Sequence, residues 1–389
     1  MSIVDSLLGA VDPARATRFA TAITAAAEPD GREGLRAAAI ADLLQHPRLD
    51  VHVDPALPGR PNVIVRLRGT GGAPGLLLNG HIDAGFIPDG WSRDPLDAWE
   101  ADGRLYGGAI SDMLGGVASM MEAMAAAADS DPLPGDLVLL ANMYHDSNGL
   151  GTKYALASED GWPEFGINGE PTSMSILTQH GGCVKFEVEL TGVPAHVSRA
   201  EDGVDALAAA VDVYRAVGQE AWTHEAHEGL GQLPRVVVGV MQAGAAPALV
   251  PDRVTLAGDI RTVPGQGWQS VRDDLERIVA DEVGPGVGSA VRCLVRQRAF
   301  QGPQSGRLFD ALSAAHRDVR GAGVEVDIDS SAQMFVTDAV DMAAAGIETL
   351  IYGPGAWHYV ADESIEIDEM ADATRVYLAT ATRLMGVAG

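Results

Sequence analysis

Leu76-Leu77-Leu78-Asn79-Gly80-His81-Ile82-Asp83 decides how this chain is read. Gly75 to Leu78 is a short apolar run bounded by glycine, the signature of a buried strand. It ends at once in polar and ionisable side chains. Open α/β sheets gather their ligands outside the carboxyl ends of their strands, so His81 and Asp83 stand where chemistry is expected. The same pattern recurs. Leu137 to Asn142 leads into Tyr144-His145-Asp146, and Phe165 to Asn168 leads into Gly169-Glu170-Pro171. Leu350 to Gly355 leads into His358, and Asp112 closes Gly107-Gly108-Ala109-Ile110-Ser111 just before a helical stretch.

Reading outward from these ends gives the architecture. Ala14 to Ala27 and Gly34 to Gln45 read as helices, rich in Ala and Leu and broken at Pro and Asp. Asn62 to Leu67, Gly75 to Leu78, Asp136 to Ala141 and Phe165 to Asn168 read as strands, with Met113 to Ala128 as a helix among them. Strands alternating with helices predict a doubly wound, mostly parallel α/β sheet with helices on both faces. The middle of the chain changes character. Cys183 to Leu190 alternates, so Val184, Phe186, Val188 and Leu190 share one face. A helix over Gly203 to Ala216 follows, then strands over Val236 to Met241 and Val254 to Ile260. A helix over Trp268 to Val283 and a strand over Ala290 to Arg296 complete the set. This order is the ferredoxin-like split unit. The first pattern resumes with helices over Arg307 to Arg320 and Thr337 to Ala345, a strand over Thr349 to Tyr352 and a helix over Glu369 to Met385. The expected organisation is one α/β domain, residues 1–178 and 299–389, with a ferredoxin-like α+β domain, 179–298, inserted into it.

A length of 389 residues agrees with two domains. Hydrophobic residues are 47% and charged residues 21%, which excludes a disordered chain. The 27 Lys and Arg against 54 Asp and Glu leave a net charge of −27. Phosphate recognition needs clustered base, so nucleic acid and anionic membranes are not expected partners. Cys183 and Cys293 are too few for a disulfide framework or a thiolate zinc site, and a reducing compartment is the simple reading. No apolar run reaches the roughly 18 residues of a spanning helix. The N-terminal residues show no basic segment followed by an apolar one, so no signal peptide is read there. A cytoplasmic location is expected.

Imidazoles and carboxylates from five separated loops can converge on a divalent metal pair, since zinc takes N and O ligands and leaves a position for water. Singly, each residue has an ordinary explanation. An Asp before a helix is usually an N-cap, Gly-Glu-Pro is usually a turn, and a lone His-x-Asp is usually a surface feature. Their common position at strand ends makes the conjunction stronger than its parts, and the pattern alone leaves a metal site and these ordinary roles as equal readings.

These segments, from about His81 to Glu363, resemble the zinc-dependent aminoacylase/carboxypeptidase family, which includes acetylornithine deacetylase, succinyl-diaminopimelate desuccinylase and glutamate carboxypeptidase. The resemblance implies a catalytic α/β domain with a cocatalytic metal pair and a smaller lid domain that usually dimerises, hence a homodimer acting on a small molecule. His81 and Glu170 would bind one metal, with Asp83 orienting His81 from behind. Asp112 would bridge the two metals, and in the family this Asp commonly precedes a cis peptide. His358 would bind the second metal. The metal would be zinc foremost, with manganese or cobalt as alternatives, one or two per subunit. His196, in Gly192-Val193-Pro194-Ala195-His196, resembles the lid histidine that reaches the partner subunit's active site and stabilises the oxyanion. Arg261 resembles an element that meets a substrate carboxylate, and a structural ion pair is an equal reading of it.

The chain also departs from the family. Aligned on Gly149-Leu150-Gly151, the usual Glu-Glu is His145-Asp146. Asp146 keeps a carboxylate for the second metal. His145 replaces the general base, and an imidazole there can serve as base, substrate contact or metal ligand. A family Pro, Asn and Lys are Ala200, Ala248 and Leu114 here. The implied reaction is hydrolysis of a C–N bond, in the amide of an N-acyl amino acid or related small molecule, by a metal-bound hydroxide. Two other readings stand beside it. One is a retuned member that deaminates an activated ring or opens a cyclic amide or ester. The other is a non-catalytic binding protein on the same fold.

Overall fold

A computed structural model describes residues 3–84, 87–145, 148–219, 222–225, 227, 229–230, 234–327, 335–357 and 360–387. The chain divides into two compact units. One comprises Met1–Thr178, Gln301–Ile328 and Thr337–Gly389; the other comprises Gln179–Phe300 and Asp329–Val336.

The first unit is built on a six-stranded sheet. Its order is Leu49–Leu57, Arg60–Leu67, Leu137–Asn142, Leu76–His81, Phe165–Asn168, Glu348–Ile351. The last four run parallel to one another. Arg60–Leu67 runs against both of its neighbours, so the sheet is mixed. The reason is local. Leu57 pairs with Arg60 across Pro58 and Gly59, with Gly59 at φ +72°, and so tight a loop can join only antiparallel strands.

Every residue of Leu76–His81, Leu137–Asn142 and Phe165–Asn168 is buried. Strands covered on both faces read as continuous apolar runs. Alternation still sorts their side chains. Leu76, Leu78, Leu137 and Leu139 join the main core with Met120, Met124 and Tyr377. Leu77, Val138, Leu140 and Ile64 pack the other way, with Ala155 and Met342. Those two belong to helices Leu150–Ser158 and Ala339–Ala344, so helices lie on both faces, as the doubly wound reading expects. By the same period of two, Asn79 and His81 share the face of Leu77, and Asn142 shares that of Val138 and Leu140.

The second unit is a four-stranded antiparallel sheet in the order Arg235–Ala243, Arg253–Thr262, Gly182–Thr191, Gly288–Gln297. Helices Ala206–Gln219 and Trp268–Glu282 contribute to its core with Phe186, Val188 and Leu256. The chain order and the spatial order are those of a ferredoxin-like unit. Cys183 and Cys293 are free thiols. Among the described residues, no helix is long and apolar enough to cross a membrane.

Candidate metal centre

Strand ends of the first unit bring the predicted residues together. His81 is the last residue of Leu76–His81, Asp83 lies two residues on, and Glu170 follows Phe165–Asn168. His145 follows Leu137–Asn142 by three residues. All are buried, as is Asp112. Ligand atoms of His81, His145 and Glu170 lie within 4.8 Å of one another. His81 Nε2 is 3.2 Å from Asp112 Oδ1 and 4.0 Å from Glu170 Oε1, and His145 Nε2 is 3.9 Å from the same Glu170 oxygen. The two imidazoles stack with centroids 4.7 Å apart and planes 12° from parallel.

Both rings are held from behind. His81 Nδ1 lies 3.0 Å from the backbone oxygen of Asp83 and 3.5 Å from its Oδ1. A backbone oxygen can only accept, so His81 carries a proton on Nδ1, and in its neutral form the lone pair is at Nε2. Asp83 also accepts the His145 amide N–H at 3.0 Å, tying the two loops together. Asp112 accepts from the Trp357 indole N–H at 2.7 Å, and its peptide bond to Met113 is cis, as the resemblance implied.

The electrostatics follow from so many ionisable groups in so little water. Burial opposes charge on His145, but Asp338 and Glu170 outweigh it and push the imidazole up to about 10. Burial likewise opposes charge on His81, yet Asp112, Glu170 and Asp83 hold it well above the ordinary histidine range. Glu170 is pushed up to about 7, by burial first and by the charges of Asp112 and Asp338. Burial pushes Asp112 up, but its contacts with His81 and Trp357 prevail and hold its carboxyl below the usual range. An excess of carboxylates draws positive charge onto the imidazoles, which is the field a cation would meet.

One atom shows that the residues fit a metal. Glu170 Oε1 is buried and has no hydrogen-bond partner. An unpaired buried carboxylate oxygen is costly unless something positive completes it. It faces two imidazole nitrogens, the donor set that zinc, cobalt and related ions accept.

The cluster does not account for every predicted residue. Asp146 and His358 lie outside the described residues. His196 and Arg261 belong to the second unit. His196 is exposed and its Nδ1 is 2.9 Å from Ser198 Oγ. Arg261 Nε is 3.1 Å from Asp259 Oδ1, both side chains being partly exposed.

Asp338 was not singled out from the sequence, and the structure puts it at the centre. Its Oδ1 is 3.2 Å from His145 Nδ1, and its Oδ2 accepts from Asn142 Nδ2 at 2.5 Å. It stands before helix Ala339–Ala344, where an Asp reads as a cap. Instead, the Ala339 N–H is taken by Thr337 Oγ1. Gly149 makes room for the carboxylate. It sits at φ +64°, and a Cβ there would lie 2.6 Å from Asp338 Oδ1.

Residues 77–383 match the model of peptidase family M20/M25/M40. Over 336 residues the chain is 29% identical to succinyl-diaminopimelate desuccinylase of Gluconobacter oxydans (strain 621H), covering 82% of this chain and 83% of that one. Over 241 residues it is 29% identical to acetylornithine deacetylase of Proteus mirabilis (strain HI4320). That match covers 60% of each chain, so it spans less than two thirds of the deacetylase. A tripeptidase from Staphylococcus aureus shares the fold, with a TM-score of 0.76 at 17% identity over 97% of this chain and 99% of that one. With most of its length matched and its polar strand ends converging, the chain belongs to peptidase family M20/M25/M40 and is a metal-dependent hydrolase acting on C–N bonds.

Proposed function

We propose that the chain hydrolyses the amide of an N-acyl amino acid or a closely related small molecule. The buried, unpartnered Glu170 oxygen facing His81 and His145 carries this reading. The names of the two sequence relatives, a deacetylase and a desuccinylase, support the acyl class. His81, Glu170 and Asp112 would hold a divalent metal, with Asp146 and His358 as further ligands, one or two ions per subunit. Zinc is the first choice, ahead of manganese and cobalt. Such a metal supplies Lewis-acid polarisation of the scissile carbonyl and lowers the pKa of water.

The chain's own residues do the rest. Asp83 fixes the His81 ring through Nδ1, which turns Nε2 toward Asp112 and Glu170. Trp357 holds one oxygen of Asp112 through its indole N–H, leaving Oδ1 turned to His81. His145, when neutral, would add a second Nε2 lone pair in the same space, its Nδ1 being held by Asp338. His196 would donate to the developing oxyanion from a second copy of the chain, and Arg261 would meet a substrate carboxylate, so a homodimer is part of the proposal. A cytoplasmic site of action agrees with two free cysteines.

The test is elemental analysis of the purified protein, with hydrolysis of N-acetyl and N-succinyl amino acids measured before and after chelation. At least one equivalent of metal per chain, and activity lost on chelation and restored by zinc, manganese or cobalt, is the expected result. A folded, metal-loaded protein that cleaves no member of the panel overturns the substrate class. A protein that takes up no divalent metal overturns the mechanism.

A further inference from the structure

Three amides lie beneath the metal centre in one directional chain. Asn168 Nδ2 donates to Asn79 Oδ1 at 2.8 Å, Asn79 Nδ2 donates to Asn142 Oδ1 at 2.9 Å, and Asn142 Nδ2 donates to Asp338 Oδ2. Its direction is fixed independently. Asn79 Nδ2 also lies 3.4 Å from the backbone oxygen of Leu140, which can only accept. Every amide therefore points its N–H₂ toward Asp338. All four residues are buried.

The chain ends on a group with no proton to give. The Asp338 carboxylate has Oδ2 filled by Asn142, and its Oδ1 lies 3.2 Å from His145 Nδ1. His145 must be the donor there, so in its neutral form the lone pair is on Nε2. That atom is the one gathered with His81 Nε2 and Glu170 Oε1. A histidine whose far nitrogen donates to a carboxylate is a more basic and more rigid metal ligand.

We propose that Asp338 is a positioning residue that, backed by Asn142, Asn79 and Asn168, makes His145 a metal donor beside His81 and Glu170. The inference rests on the metal-dependent reading above. It adds that the position aligned with the family's general base has become part of the ion's coordination, and that a second imidazole biases the site toward zinc over manganese, which prefers oxygen.

The test is zinc and manganese affinity of the full chain, by competition with a chromogenic chelator. The proteins compared are wild type, Asp338→Asn, His145→Ala and the double variant. Asp338→Asn sets an amide N–H₂ against either Asn142 or His145. It is expected to weaken zinc binding by about 10–100-fold, and manganese binding by less. In the His145→Ala background the same change should cost nothing further, because the residue acts through His145. A merely structural role would lower both affinities alike and add to His145→Ala. Thermal unfolding of the metal-free proteins checks folding. Should Asp338→Asn not fold, Asn142→Ser leaves the carboxylate and removes its partner, and the same selective loss in a smaller degree is expected. Zinc affinity unchanged in the folded variant, or additive losses in the double variant, overturns the assignment while leaving the metal-dependent hydrolase intact. A wild type that takes up no zinc overturns both.

Discussion

The six-stranded and the four-stranded sheet of this molecule bury their strands differently. In the first unit the central strands Leu76–His81, Leu137–Asn142 and Phe165–Asn168 are buried at every residue. In the second, Arg235–Ala243 and Gly288–Gln297 have no buried residue, although helices pack against their sheet. A sheet covered on both faces forces its polar strand ends out of water as well. There His145 is pushed up to about 10 and Glu170 to about 7. In the second unit the Arg261–Asp259 pair stays partly in solvent. Coverage thus decides where a charge is strongly felt and where it is merely soluble.

The sharpest way to break this contrast is at Glu170. Replacing it with Ala removes a buried charge that two imidazoles face, so loss of bound metal and a fall in kcat of about a thousandfold or more are expected. Elemental analysis beside steady-state kinetics reads both. Full activity in a metal-loaded Glu170→Ala protein would detach the buried cluster from function.

Packing is the next test. Leu139 is fully buried in the main core, so Leu139→Ala should cost about 2–5 kcal/mol, read by chemical unfolding followed through the first unit's signal. A loss below 1 kcal/mol would mean that the covered sheet is less tightly packed than its burial implies.

A finer test concerns pH. Glu33 is buried against Arg60 Nη1 at 2.6 Å and accepts the Tyr144 N–H at 3.2 Å. Burial, with the nearby Asp83 charge, raises it from 4.5 to about 7. A carboxyl whose folded value lies above its unfolded one favours the fold at low pH. Its contribution is complete below 4.5 and is lost as pH rises through about 7. Glu33→Gln should flatten that part of the stability profile. A slope unchanged by the substitution would assign it to other groups.

The smallest effect belongs to the second sheet. Arg292 reaches Glu187 at 3.3 Å and Glu189 at 2.8 Å with 57% of its side chain exposed. Arg292→Ala should change unfolding by about 0.2–1 kcal/mol, and less in high salt. A larger loss would show the pair to be shielded, and the contrast between the sheets would weaken.

How much was legible in advance follows from the same physics. Leu76 to Leu78 and Leu137 to Leu140 announce buried strands, and the polar residues after them announce the site. Leu49–Leu57 was missed because Asp50, His52, Asp54 and Pro55 interrupt it, and only Asp54 of its nine residues is buried. Leu150–Ser158 was missed because this helix buries only Gly151, Thr152 and Ala155, so no apolar stripe marks it. The reversed strand depended on one turn, Pro58-Gly59, that leaves no trace in apolar periodicity. Asp338 was hidden for another reason. Its partners His145 and Asn142 lie 193 and 196 residues away. An Asp before a helix reads as a cap until those neighbours are known. Strand ends can be read one at a time, but a hydrogen-bond partner that distant cannot.

The asparagine chain has a consequence for how the sheet finds its alignment. Strands made of Leu and Val discriminate poorly between pairings shifted by two residues, since every such pairing buries much the same hydrocarbon. Asn79 sits opposite Asn168, and His81 opposite Asn142. A slip of two residues would part these amides inside the core, at about 1–3 kcal/mol for each group left unsatisfied. The three amides therefore act as a register key. They reject misaligned strands, and the correct alignment is the one in which the metal donors meet.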